Sequence, residues 1–302
     1  MTIIDAGHIN LINDVIDVND RGLAYGDGLF ETIAYVNGRL HNWHLHWRRL
    51  ILGAERLSLS IPEEDFLLNN INLKLKHNND SDENQPVDKV IKIIISRGTG
   101  GRGYQFPQQT QSTLIISVHH WPQRSAGDYT AGIKVKVCRI CLAKQPLLAG
   151  IKHLNRLEQV LARNEFNGND YREGIMLACS DNSSVLNDRL IEGTSSNLFF
   201  VKNGQLFIPE IDTCGVQGTI RQEILHLLEK MSIKFEQGHY PLSMLSDASE
   251  VFFTNSIFGI IPVASITLSD ETQWFYSLTS QQRISARLSK IINKALNRPE
   301  LL

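Results

Sequence analysis

Cysteine is scarce in this chain, with four in 302 residues. That is too few for a disulfide framework, so the thiols are expected to be reduced. An excess of charge of one sign is missing too. A net charge of −2 creates no field to draw a nucleic acid or an anionic membrane, and a small molecule is the better-matched partner. No apolar run approaches the length that spans a bilayer, and Met-Thr-Ile-Ile-Asp carries an acid where a secretory signal needs basic residues. A cytoplasmic location is therefore expected. No internal repeat is visible. What is present is a globular balance, 42% hydrophobic and 21% charged, which argues against wholesale disorder.

The length favours two α/β (α+β) domains. The first opens with a strand over Leu29 to Tyr35 and a tight turn at Asn37-Gly38. Helical spacing covers Trp43 to Leu57 and about Glu63 to Lys76, and strands follow over Val90 to Ser96 and Ser112 to Val118. Between Trp121 and Gly132 periodicity stops, which places one domain over residues 1–122, a linker over 123–131 and a second domain over 132–302. In the second domain, strands are expected at Ile133 to Cys141, Gly174 to Cys179, Asn197 to Lys202, Leu206 to Pro209 and Glu250 to Thr254. Asn155 with Glu158 reads as a capping box before an apolar stripe of Leu157, Val160 and Leu161, and Thr219 with Gln222 reads as another. A last helix runs from about Leu278 to Asn297.

Several motifs suggest chemistry that their surroundings do not support. Gly98-Thr-Gly-Gly-Arg-Gly103 fits a dinucleotide fingerprint, but Pro107 breaks the helix such a site requires. Arg97 and Arg102 on that glycine-rich loop are instead suited to holding a substrate carboxylate through paired N–H donors. Cys138-Arg-Ile-Cys141 has no second cysteine pair, and the histidines at 41, 44 and 46 have no acidic or cysteine partner in a recognised spacing, so no metal site is expected.

Three other features gain weight together. Thr219 follows Gly218 at a helix start, where N–H groups and the dipole suit a phosphate. Lys152 lies among few charges, where a lowered pKa would let it attack an aldehyde. Glu192 stands at a strand end among small polar residues and could pair with a pyridinium nitrogen. Taken singly, a surface lysine and a turn glutamate explain the last two as well.

Their order along the chain resembles a known class. Arg21-Gly-Leu-Ala-Tyr-Gly-Asp-Gly-Leu-Phe-Glu-Thr32, His46-Trp-Arg-Arg-Leu50, Gly150-Ile-Lys-His-Leu-Asn-Arg-Leu-Glu158, Glu192-Gly-Thr-Ser-Ser-Asn-Leu-Phe199 and Gly218-Thr-Ile-Arg221 are similar to motifs of the fold type IV pyridoxal-phosphate enzymes, the branched-chain aminotransferase and aminodeoxychorismate lyase class. Ile95 to Tyr104 and Ala149 to Val160 resemble the lyases most. The resemblance implies a homodimer of two-domain subunits, with pyridoxal 5'-phosphate in the cleft between a smaller N-terminal α/β domain and a larger C-terminal pseudo-barrel. It also implies conversion of 4-amino-4-deoxychorismate to 4-aminobenzoate and pyruvate in folate biosynthesis. An aminotransferase acting on branched-chain or D-amino acids is the alternative. Carried over by position, Lys152 matches the Schiff-base lysine and catalytic residue, and Glu192 the partner of the pyridine nitrogen. Arg49, Thr219, Ile220 and Ser256 match the phosphate ligands, and Asn197 belongs to the cofactor motif. Arg97, Arg102 and Tyr104 are the substrate-side candidates. Extra polar residues at 180–187 depart from the class, where a tighter hairpin is expected.

Overall fold

Alternating apolar residues on strands and amphipathic helical spacing give the chain two units, Met1–Pro122 with Ile151–Asn155, and Gln123–Gly150 with Arg156–Leu302. This computed structural model describes residues 9–12, 15–77, 88–101, 103–166, 170–179, 184–279 and 283–300. The polar residues 180–183, Arg102 and the 280–282 part of the expected last helix lie outside the described residues.

In the first unit the order is β1 (Ile9–Ile12), α1 (Arg21–Tyr25), β2 (Gly28–Val36), β3 (Arg39–Leu40), α2 (Trp43–Leu57), α3 (Glu64–His77), β4 (Lys89–Ser96) and β5 (Ser112–His120). The sheet order is β1-β5-β4-β2-β3, antiparallel except where β1 runs parallel to β5. Asn37 and Gly38, both at positive φ (51° and 75°), make the two-residue turn that sets Val36 opposite Arg39. Ile33 on β2 and Ile91, Ile93 and Ile95 on β4 are fully buried, and α2 covers the sheet with Leu50 and Ala54. Each fully buried aliphatic side chain of this kind contributes about 1.5–3 kcal/mol.

The second unit contains α4 (Ala126–Thr130), β6 (Ile133–Cys141), α5 (Leu157–Asn164), β7 (Tyr171–Ala178), β8 (Arg189–Gly193), β9 (Asn197–Lys202), β10 (Gln205–Pro209), α6 (Thr219–Lys230), β11 (Phe235–Gly238), β12 (Glu250–Asn255), β13 (Gly259–Thr267), β14 (Gln273–Phe275) and α7 (Ile284–Ala295). Its strands run β11-β10-β9-β12-β13-β6-β7-β8, with β14 beside β13. The pair Glu192↔Asn197 joins β8 back to β9 and closes six strands into a barrel-like ring. β13 carries Pro262 at its middle, which argues against a strand in the sequence, yet it lies between β12 and β6 as a buried central strand.

Three local expectations need correction. Asn155 does not cap α5: its side-chain amide donates to Gly26 O (3.1 Å), Glu158 accepts from Ala143 N (2.8 Å), and Leu157, Val160 and Leu161 face outward at 76%, 60% and 56% exposure. Thr219 is the first residue inside α6 rather than its cap; Gly218 holds the cap position and no side chain hydrogen-bonds there. Cys141 and Cys179, expected as thiols, are joined in a disulfide, because the parallel strands β6 and β7 end side by side. The 38 residues between them hide that proximity in the sequence. Cys138 and Cys214 are free and buried, and burial pushes their thiols up to about 12 and about 11.

Candidate active site

In the first unit the segment carrying Lys152 lies antiparallel along the start of β2. Phe30 N donates to Lys152 O (2.9 Å), Leu154 N donates to Gly28 O (3.0 Å), and Leu29 bridges His153. This pairing fixes the backbone of a half-buried lysine whose Nζ stands 4.4 Å from the centroid of the Phe30 ring. Behind Phe30, β2 turns the next side chain, Glu31, to its other face. There Glu31 accepts from Arg49 Nε (2.8 Å) and Arg49 Nη2 (2.5 Å) and pairs with His46 Nδ1 (2.6 Å), all three residues being buried. Burial raises the Glu31 carboxyl, but Arg49 and His46 outweigh it and hold it at about 2. Burial also depresses the His46 imidazole against the pull of Glu31, and the charges of Arg49 and Lys152 add to the depression. His46 and Glu31 thus form a buried carboxylate–histidine pair where the sequence showed only a histidine near a helix start.

The glycine-rich loop after β4 is tied down from below. Arg97, 3% exposed, donates Nε and Nη2 to Asp27 (2.8 and 3.0 Å), Nη2 to Leu57 O (2.7 Å) and Nη1 to Ser58 O (2.8 Å). Its donors answer to one carboxylate of the chain and two carbonyls, a different use from the substrate carboxylate expected of it. Arg21 shares Asp27 (Nε, 2.9 Å) and reaches Gly103 O (3.0 Å) and Tyr104 O (3.3 Å). Burial raises the Asp27 carboxyl, and the two guanidiniums more than offset this and lower it. Tyr104 itself is 86% exposed, with its ring edge-on to Tyr25 at 5.5 Å. Arg102 lies outside the described residues.

The second unit assembles the acidic and helix-terminal groups. Glu192, 4% exposed, is the penultimate residue of β8; its Oε2 accepts from Val216 N (2.9 Å) and from Asn197 Nδ2 (3.5 Å). Asn197 also donates to Val216 O (2.8 Å) and accepts from Gly218 N (2.9 Å), so one amide joins the carboxylate, the 215–218 segment and the start of α6. Gly218 is required there: a Cβ would sit 2.0 Å from Asn197 Oδ1. Gly150, two residues before Lys152 in the chain, is held between Gly215 O and Gln217 N. Thr219 and Ile220 are buried in the first turn of α6, which packs on β12. On β12, Thr254 opposite Asn197 is 1% exposed, and its Oγ1 has no hydrogen-bond partner among the described residues. Ser256, half-buried, follows in the turn that Asn255 Oδ1 closes by accepting from Ile257 N and Phe258 N (2.9 Å each).

The structure therefore gathers Lys152 and Arg49 in one unit, and Glu192, Asn197, Thr219, Ile220 and Ser256 in the other. Sequence reasoning missed Glu31, Asp27 and Thr254 as working parts. Glu31 was legible only as an acid inside an apolar strand, and Asp27 and Thr254 gave no signal.

The chain is similar to several known proteins. It is 34% identical, over 83% of its length and 88% of the relative, to the aminodeoxychorismate lyase of Vibrio harveyi. The crystal structure of 4-amino-4-deoxychorismate lyase from Pseudomonas aeruginosa superposes with a TM-score of 0.79 at 36% identity, over 95% of this chain and 97% of that one. A D-alanine aminotransferase from Bacillus licheniformis is 28% identical over 83% of each chain. The α/β fold with its barrel-like second unit is fold type IV. Residues 28–266 match the family described as amino-transferase class IV, and this chain belongs to that family and is an enzyme.

Proposed function

We propose that the protein is a pyridoxal-phosphate-dependent lyase that converts 4-amino-4-deoxychorismate to 4-aminobenzoate and pyruvate. The observation that carries this reading is the gap in similarity, 34% and 36% identity to the two lyases against 28% to the D-alanine aminotransferase. The residues fit the cofactor. Lys152 would hold it covalently through Nζ, and Glu192, its Oε2 already oriented by Val216 N–H, would face the pyridine nitrogen. The first turn of α6, which no side chain caps, Ser256 and the Arg49 guanidinium would receive the phosphate. The partnerless hydroxyl of Thr254, on the strand against which α6 packs, suits the same polar group.

When bound, the cofactor withdraws electrons from the substrate carbon that bears the nitrogen. The amine of Lys152 would remove the proton from that carbon. Cleavage of the enolpyruvyl C–O bond follows, Lys152 returns a proton to the departing enolpyruvate to give pyruvate, and the ring becomes aromatic. Arg102 and Tyr104 are the residues assigned to the substrate, with Arg97 and Arg21 holding the base of their loop.

A homodimer and a cytoplasmic location complete the reading. No helix among the described residues is long and apolar enough to cross a membrane. The exposed stripe Leu157, Val160 and Leu161 on α5 suits burial against a second copy of the chain. Incubating the protein with aminodeoxychorismate and no keto acid tests the activity: 4-aminobenzoate and pyruvate should appear in equal amounts. Absence of both, with amino transfer from an amino acid to 2-oxoglutarate, would assign an aminotransferase instead.

A further inference from the structure

Glu173 on β7 is 2% exposed, and nothing in the proposed reaction uses it. Its carboxylate collects five donors: Gly174 N (3.0 Å) and Thr194 N (3.0 Å) at Oε1, the Thr194 hydroxyl at Oε1 in a short contact, Ser195 Oγ (2.8 Å) and Ser196 Oγ (2.9 Å) at Oε2. Four of these belong to the turn that links β8 to β9. Burying a carboxylate is costly unless its lone pairs are filled, and here neutral groups alone fill them; among the described residues Glu173 forms no ion pair.

The turn is short and closed from several sides. Gly193 N donates to Ser196 O (2.6 Å), Thr194 N reaches Gly174 O (3.0 Å), and Ser195 O accepts from Asn255 Nδ2 (3.1 Å). A Cβ on Gly193 would lie 2.4 Å from Ser196 Oγ and 3.1 Å from Glu173 Cδ, so the backbone is pressed directly onto the carboxylate. Glu192, followed by Gly193, leads into this turn and Asn197 comes directly after it, and Glu192 and Asn197 form the single β8–β9 pair that closes the ring. Every orientation that matters at Glu192, from Asn197 Nδ2 to Val216 N, depends on where these two chain ends come to rest.

We propose that Glu173 is a positioning residue for the cofactor, the buried template on which the 194–196 turn is folded so that Glu192 and Asn197 keep their aim. The inference rests on the reading of Glu192 as the partner of the pyridine nitrogen. Glu173 touches neither cofactor nor substrate; it acts through the turn. Glu173→Gln preserves volume but replaces one acceptor oxygen with an NH2 group that cannot accept from Ser195 and Ser196. Glu173→Asp keeps the charge and withdraws it by one methylene.

The test uses the dimeric protein reconstituted with pyridoxal phosphate. It records cofactor affinity of the cofactor-free form, the absorption maximum of the bound cofactor against pH, kcat and KM, and the melting temperature without cofactor. Glu173→Gln should weaken cofactor affinity and lower kcat by about tenfold or more, with KM changed far less, as a displaced partner group does. It should also shift the pH at which the absorption band changes. Glu173→Asp should recover part of each effect. If Glu173→Gln does not fold, Ser195→Ala with Ser196→Ala, which leaves the carboxylate in place, must give the same spectral shift in smaller measure. A lower melting temperature with affinity, band and kcat per bound cofactor equal to wild type would overturn the inference and leave a purely structural glutamate. Failure of the reading beneath it looks different: wild-type protein itself would then bind no cofactor at Lys152.

Discussion

Replacing Glu31 by glutamine keeps the shape of the side chain on β2 and removes the negative charge that faces Arg49, whose guanidinium is 5% exposed. The magnitude follows in two ways. A carboxyl held at about 2 instead of 4.5 stabilises the folded chain by about 3 kcal/mol at neutral pH. Removing one member of a buried ion pair costs about 3–5 kcal/mol, because the remaining charge stays desolvated. A loss of about 3 kcal/mol is expected at pH 7. Urea unfolding followed by tryptophan fluorescence measures it, since Trp43 and Trp47 sit on α2 with His46 and Arg49. The pH dependence has a definite sign. Because the folded pKa lies below the unfolded one, the wild-type contribution is complete above about 4.5 and disappears as pH falls towards about 2. His46, whose folded pKa is also depressed, adds a loss that begins as pH falls below about 6.5, where the unfolded imidazole gains its proton. Glu31→Gln should lack the lower part of that profile. A variant within about 1 kcal/mol of wild type at pH 7, or a wild-type profile flat between 4.5 and 2, would refute the argument.

Lys152→Ala should lose the borohydride-fixed cofactor on its peptide and about a thousandfold in kcat; unchanged turnover would remove the lysine from the chemistry. Gly218→Ala places a Cβ 2.0 Å from Asn197 Oδ1, so cofactor affinity should fall by about tenfold while the circular dichroism spectrum keeps its wild-type form. Leu157→Lys combined with Leu161→Lys should convert the proposed dimer to monomer in sedimentation velocity, and a variant that self-associates as the wild type does would mean that α5 is not the interface. Unfolded, unreduced protein should alkylate at Cys138 and Cys214 alone, and reduction should add Cys141 and Cys179; four alkylated sites without reductant would show that the Cys141–Cys179 bond is absent in solution.

Elements whose burial repeats with the local period were legible from residue spacing alone. The Trp43–Leu57 helix and the Ile133–Cys141 strand have the expected bounds, because apolar spacing and turn residues are properties of neighbouring positions. The α5 helix shows the limit of that reasoning. Its apolar stripe was legible, but the stripe faces outward, and a sequence records which residues share a face without saying what covers it. Asn155 and Glu158 likewise have the spacing of a capping box, yet Gly26 and Ala143 take them as partners from distant parts of the chain.

The sequence by itself determined the chemistry on offer at this site: one lysine, one carboxylate and one helix start, in a fixed order along the chain. Tertiary structure decided which groups are committed. Arg97, an apparent substrate clamp, is buried against Asp27 and two carbonyls, while Glu173, silent in the sequence, holds the turn beside Glu192. Covalent order carries residue identity, but hydrogen-bond commitment depends on which strands become neighbours, and the ring needs β6 beside β13, a pairing of distant parts of the chain that no local pattern encodes.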